Sequence, residues 1–160
     1  MNGKTHLIIG VASGLGLSIV LGADPSAAAI ITSAAALGSL LPDIDHPNSS
    51  ISYKVGLARA PLFWLSHRGI THSALIVILI TLVGQQIQPL LTQAFSLGYS
   101  SHLAADMLTR AGVPLLWPIQ TRFRLMPKLF MGGLFELLVL AGSVLACCTL
   151  ASQLALVWIK

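Results

Sequence analysis

Polar residues punctuate this chain rather than alternate with apolar ones. Five apolar stretches can be traced, at Leu7–Gly22, Ala27–Leu41, Ala74–Leu91, Ala94–Leu108 and Leu129–Ile159. Crossing a bilayer by helix takes about 20 residues, in a range of about 17–25. The first two stretches are therefore short, and flanking polar residues or shallow insertion make up the difference. The third carries Gln85, Gln86 and Gln88 towards its far end, and the fourth is interrupted by His102 and Asp106. The fifth is longer than a bilayer requires, so it tilts or breaks near Gly142. The pattern predicts an all-α, polytopic transmembrane bundle of four to five short helices with interfacial loops, forming one domain over residues 1–160.

Composition agrees with that pattern. Hydrophobic residues make up 55% of the chain and charged ones only 9%, against about 25% charged in soluble domains. A net charge of +4 without a clustered basic stripe and interleaved aromatics argues against nucleic acid as a partner. Cys147 and Cys148 are adjacent in an apolar run, a spacing that suits neither a metal nor a disulfide framework. Trp64 and Trp117 suit the membrane interface.

The distribution of the basic residues orients the bundle. Lys4 precedes the first stretch; Lys54, Arg59 and Arg68 lie between the second and third; Arg110, Arg122, Arg124 and Lys128 lie between the fourth and fifth. Eight of the nine share one side and Lys160 alone falls opposite. By the positive-inside rule that side is cytoplasmic, with the N-terminus inside. Lys4, an apolar run and the small residues of "PSAAA" also fit a cleaved signal peptide, but an uncleaved first helix fits the charge count without adjustment.

On this topology the metal-ligating residue types fall together. "LPDIDHPNSS" places Asp43, Asp45 and His46 at the end of the second stretch. "SHRGITHS" places His67 and His72 before the third. His102 and Asp106 occupy the last turns of the fourth, and His6 opens the first. All five histidines and four of the five acids thus lie in or beside one leaflet. Ionisable groups in spans are costly and face partners or a watery cavity. His102 and Asp106 are four apart and project from one helical face. Imidazole with carboxylate suits zinc, manganese or iron, and a carboxylate at Asp43 or Asp45 can join a pair of ions. Each piece has a plainer reading: a terminal His6 is interfacial, "PDIDHP" is a turn, Thr71 or Ser73 caps a helix, His102 with Asp106 is a hydrogen-bonded pair, and Glu136 pairs with an arginine. Their convergence on one leaflet favours a metal site.

The same residues carry a resemblance. "LPDIDHP", "HRGITHS", "LGYSSHLAADMLTRAGVPLLWP" and "RFRL" resemble the YdjM-like family of LexA-regulated, membrane-bound, metal-dependent hydrolases over about Leu41–Leu125, with "GKTH" matching as well. The resemblance implies a multi-pass bacterial inner-membrane protein with metal ligands at His6, Asp43, Asp45, His46, His67, His72, His102 and Asp106. The His-x-x-x-Asp element at His102 and Asp106 is also similar to one in helical zinc phospholipases C and nucleases.

The chemistry expected is hydrolysis by metal-activated water, with one or two divalent ions, zinc foremost. Arg68 is expected to clamp a phosphoryl oxygen, Thr71 or Ser73 to donate further hydrogen bonds, and Asp45 to stand with Arg68 among the catalytic residues. A site at the interface is open to membrane lipids and to lipid or lipid-linked phosphoesters as substrates. Intramembrane metalloproteolysis lacks its His-Glu-x-x-His element here. Transport calls for ligands near mid-membrane between repeats, and no repeat is seen. The alternative that remains is a non-catalytic metal-binding membrane protein, whose ion has a closed shell.

Overall fold

The computed structural model describes residues 1–45, 69–125 and 133–159, apart from the side chains of Ile44 and Asp45. Among these residues the regular elements are all helices, and residues 108–125 form turns with one antiparallel bridge, Val113 to Phe123. Helix α1 spans Gly3–Val20 and begins with Asn2, whose side chain accepts from Lys4 N–H. The chain reverses through Gly22, at φ +59°, a left-handed conformation that glycine adopts without strain. Helix α2, Pro25–Leu40, starts where proline at its first position meets an aspartate cap, with Asp24 accepting from Ser26 and Ala27 N–H. A 3₁₀ turn, Leu41–Asp45, ends it, and a second, Ile70–His72, leads into α3, Ala74–Gly84. Helix α4 spans Pro89–Met107 and α5 spans Gly133–Ile159.

Two boundaries differ from the sequence reading. The third apolar stretch is helical only to Gly84; Gln85–Gln88 form a turn, and Pro89 restarts the chain as α4. A polar glutamine turn followed by proline is a stop and a start. Eleven residues of α3 cover about 16 Å of a hydrocarbon core about 30 Å thick. Helix α5 runs unbroken through Gly142, so of the two accommodations expected for its length the break is not used. Among the described residues, three helices are long and apolar enough to cross a membrane: α1, α2 with its extension to Asp43, and α5.

Helices α1, α2 and α4 pack mutually, α3 lies on α4, and α5 lies on α1. The α2–α4 seam is drawn in by two glycines. A Cβ on Gly98 would meet the Ala35 carbonyl oxygen at 1.9 Å, and one on Gly38 would meet that of Phe95 at 2.1 Å. Small residues let helices approach closely where the hydrophobic effect gives no drive for association. Ala23, Ala28, Ile31, Ala94 and Leu154 form one buried cluster; Tyr99, Leu103 and Val113 form another. Leucines outside the bundle, such as Leu82, Leu134 and Leu145, remain exposed.

Candidate metal centre

The start of α1, the end of α2, the start of α3 and the end of α4 meet at one end of the bundle. His6, His72, His102 and Asp106 are each 0–1% exposed there, and the Asp43 side chain is 16% exposed. The shape of the seam explains why His102 enters. Ala35 and Ser39 are one turn apart on α2, as are Gly98 and His102 on α4. The close approach at Gly98 therefore brings His102 Nδ1 to 2.7 Å from the Ser39 carbonyl oxygen.

That contact sets the tautomer. A carbonyl oxygen only accepts, so Nδ1 carries the proton and donates it. Nε2 of the neutral ring then presents its lone pair to the cluster, as a backbone-anchored metal-ligating histidine does. His102 Nε2 lies 3.7 Å from Asp43 Oδ1 and 3.8 Å from Asp106 Oδ2. His72 Nε2 lies 3.7 Å from each of the same two oxygens. These separations are too long for hydrogen bonds. They are close to the spacing of donors around a shared ion. Two ligands of one tetrahedral zinc, with bonds of about 2.0–2.2 Å, lie roughly 3.3–3.6 Å apart, a little less than these four separations.

The hydrogen-bond accounting agrees. Among the described residues, His72 Nε2, His102 Nε2 and both ring nitrogens of His6 are buried without a hydrogen bond. Leaving a buried polar group unpaired costs about 1–3 kcal/mol, and three imidazoles around two carboxylates concentrate that cost in one place. A divalent cation matches this donor set. The groups His72–His102–Asp106 and His6–Asp43–His102 each bring one donor atom per residue within 4.8 Å of one another.

Several supporting contacts have no signature in the sequence. Tyr99 on α4 donates its hydroxyl hydrogen bond to the Thr71 carbonyl, and Thr71 Oγ1 lies 3.2 Å from His72 Nδ1. Tyr99 thereby holds the 3₁₀ turn that carries His72. Ser73 is not available as a substrate donor or as a side-chain cap for α3: it is buried and its hydroxyl donates to the Ile70 carbonyl at 2.6 Å. Glu136, on the first turn of α5, accepts from Asn2 N–H at 2.5 Å and from the Thr5 hydroxyl at 3.4 Å. Its described partners are therefore at the start of α1 rather than an arginine. The Met1 amino group lies 2.9 Å from Asp106 Oδ1. Of the remaining expected site residues, His46, His67 and Arg68 lie outside the described residues. So do Lys54, Arg59, Trp64 and Lys128. Asp45 closes the 3₁₀ turn with its backbone alone described.

The family model for the YdjM inner membrane protein matches residues 1–159. The chain belongs to the YdjM family. Membership extends well beyond Leu41–Leu125 and takes in α1 and α5. Among curated relatives of this YdjM-family chain, YvsG of Bacillus subtilis (strain 168), described as uncharacterized, is 34% identical over 151 residues, which are 92% of each chain. The inner membrane protein YdjM of Escherichia coli (strain K12) is 45% identical over 103 residues, 59% of this chain and 53% of that protein. The Shigella flexneri inner membrane protein YdjM gives the same figures. The alignments with these last two thus span about half of their length. No solved structure matches.

Proposed function

We propose that this protein is a multi-pass inner-membrane hydrolase, dependent on a divalent metal, zinc foremost, and acting on phosphoesters of lipids or lipid-linked substrates at the cytoplasmic face. The observation that carries the reading is the set of buried imidazole nitrogens without hydrogen bonds facing Asp43 and Asp106. Lys4, Arg110, Arg122 and Arg124 belong to chain segments at the same end of the bundle as that cluster, which supports a cytoplasmic placement with the N-terminus inside.

The residues divide the work. His72, His102, Asp43 and Asp106 would hold the ion, with Ser39 and Tyr99 keeping the two rings in register through the contacts described above. A divalent ion lowers the pKa of a bound water towards neutrality and polarises a phosphoryl oxygen. Asp43 is the ligand with access to solvent, so its side of the cluster is where water and substrate arrive. A pocket of about 270 Å³ at the same end is lined by Thr109, Arg110 and Glu136. Its guanidinium suits a phosphate by the planar fork that arginine offers. An apolar groove of about 620 Å³ between α2, α3 and α4, lined by Ile30, Leu37, Ile80, Leu91 and Phe95, has the character needed for an acyl chain.

One observation favours a second reading. Four protein donors can close a tetrahedral shell, and closed shells are structural; the protein would then bind metal without catalysis. The test is to load purified protein with zinc and screen phosphomonoesters, phosphodiesters and phospholipids beside the His102→Ala variant. Hydrolysis by the native protein that the variant lacks supports the enzyme. Stoichiometric metal with no hydrolysis across the screen supports the structural ion.

A further inference from the structure

His6 does not fit a single ion shared with His102. Their rings stack with centroids 3.7 Å apart and planes inclined by only 18°. An imidazole nitrogen binds a metal along its lone pair, in the plane of its own ring. Planes so nearly parallel and so far apart meet roughly 11 Å away, about five times a metal–nitrogen bond of about 2.1 Å. No point at bonding distance lies in both planes. Either His6 ligates nothing or it ligates a different ion.

The second alternative has three supports. His6 is 1% exposed and its Nδ1 makes no hydrogen bond among the described residues, while its Nε2 faces a carboxylate oxygen at 3.2 Å, so a purely structural His6 would leave Nδ1 unpaired at a cost. The Asp106 carboxylate is divided between the two rings. Its Oδ2 faces His102 and His72 at 3.8 and 3.7 Å, whereas its Oδ1 faces His6 Nε2 at 3.2 Å. Finally, Asp43 offers a donor atom within 4.8 Å of both His6 and His102.

The geometry points to a centre for two divalent cations, bridged by Asp106: one held by His72, His102 and Asp106 Oδ2, the other by His6 and Asp106 Oδ1, with Asp43 within reach of both. Rings with centroids 3.7 Å apart, their Nε2 atoms facing the two oxygens of one carboxylate, would set two ions at a spacing like the roughly 3.5–4 Å of two-metal hydrolytic sites. This inference rests on the metal reading above and deepens it by assigning the number of ions and the role of His6.

Manganese serves as both titrant and probe. Purified protein in detergent is stripped with chelator and reloaded with Mn²⁺; bound metal is counted, and its electron paramagnetic resonance spectrum is recorded. The expected result is two ions per chain with the broadened signal of a magnetically coupled pair. His6→Ala is expected to halve the count and return the resolved hyperfine pattern of an isolated ion. Since the native protein is itself informative, a variant that fails to fold does not spoil the test. One ion per chain with an isolated-ion spectrum overturns the two-ion centre and leaves the metal reading standing. No stoichiometric metal overturns both. A folded His6→Ala protein that keeps both ions and their coupling removes His6 from the site.

Discussion

Replacing Gly98 by alanine tests how the fold positions the site, at a residue that touches no ligand. The new methyl carbon would lie 1.9 Å from the Ala35 carbonyl oxygen, and ordinary contact begins at 3.4 Å. Helices α2 and α4 must therefore separate by about 1.5 Å along this seam, at an overpacking cost of about 1–3 kcal/mol. One turn further on, the same seam carries the hydrogen bond from His102 Nδ1 to the Ser39 carbonyl, at 2.7 Å. Opened by that amount it reaches roughly 4 Å and is no longer a hydrogen bond. His102 then loses both its fixed tautomer and its orientation. Loss of such an outer partner typically weakens metal affinity 10–100-fold. The assay is competition against a fluorescent chelator in detergent, with thermal unfolding of the stripped protein measured alongside. Gly16→Ala is the control, because a Cβ there meets nothing within 4 Å; it should leave affinity unchanged and stabilise α1 by up to about 1 kcal/mol. If Gly98→Ala binds metal as the native protein does, the seam does not position His102 and the reasoning fails.

Tyr99→Phe removes the hydroxyl that donates to the Thr71 carbonyl; it should lower stability by about 0.5–1.5 kcal/mol and weaken metal binding through His72, and unchanged affinity would free His72 from this anchor. Asp24 caps α2, and its carboxyl is held below the usual carboxylate range, chiefly by the Ser26 hydroxyl and then by the Ala27 and Ser26 N–H groups. Because the folded pKa is depressed, its contribution is full above the unfolded value and is lost as pH falls through the folded one. Asp24→Asn, which keeps a cap, should flatten the pH dependence of stability in the acid range below about 4; an unaltered acid profile would remove Asp24 as its source. With Cys147 and Cys148 replaced by serine, cysteines at Gln86 and Arg122 should react oppositely with an impermeant thiol reagent in intact cells, Gln86 labelled and Arg122 protected; the reverse pattern inverts the topology.

The fold was legible where residue type leaves few options. Long apolar runs specify helices without reference to the rest of the molecule, although their starts, read at Leu7, Ala27 and Ala94, lie a few residues inside the observed ones at Gly3, Pro25 and Pro89. The short length of α3 was harder to see, because hydropathy alone runs through the Gln85–Gln88 turn into α4. The cluster showed in the sequence as rare acids and histidines at successive helix ends. Its internal organisation did not. The orientation of His102 depends on a main-chain carbonyl of Ser39, and any residue supplies a carbonyl. The anchors at Tyr99 and Glu136 are ordinary side chains whose partners, Thr71 and the start of α1, are set by packing. The stacking of His6 on His102 likewise arises only where α1 crosses α4.

The central claim, that the buried histidines and aspartates form a metal centre, is tested most directly by X-ray absorption on purified protein loaded with zinc. The account predicts a shell of nitrogen and oxygen neighbours at about 2.0–2.2 Å, with the outer-shell scattering of imidazole, and a clear weakening of that imidazole signal when His72 and His102 are both replaced by alanine in a chain that still folds. Zinc that is absent, that is bound through sulfur at about 2.3 Å, or that keeps its imidazole signal undiminished in the double variant would contradict it.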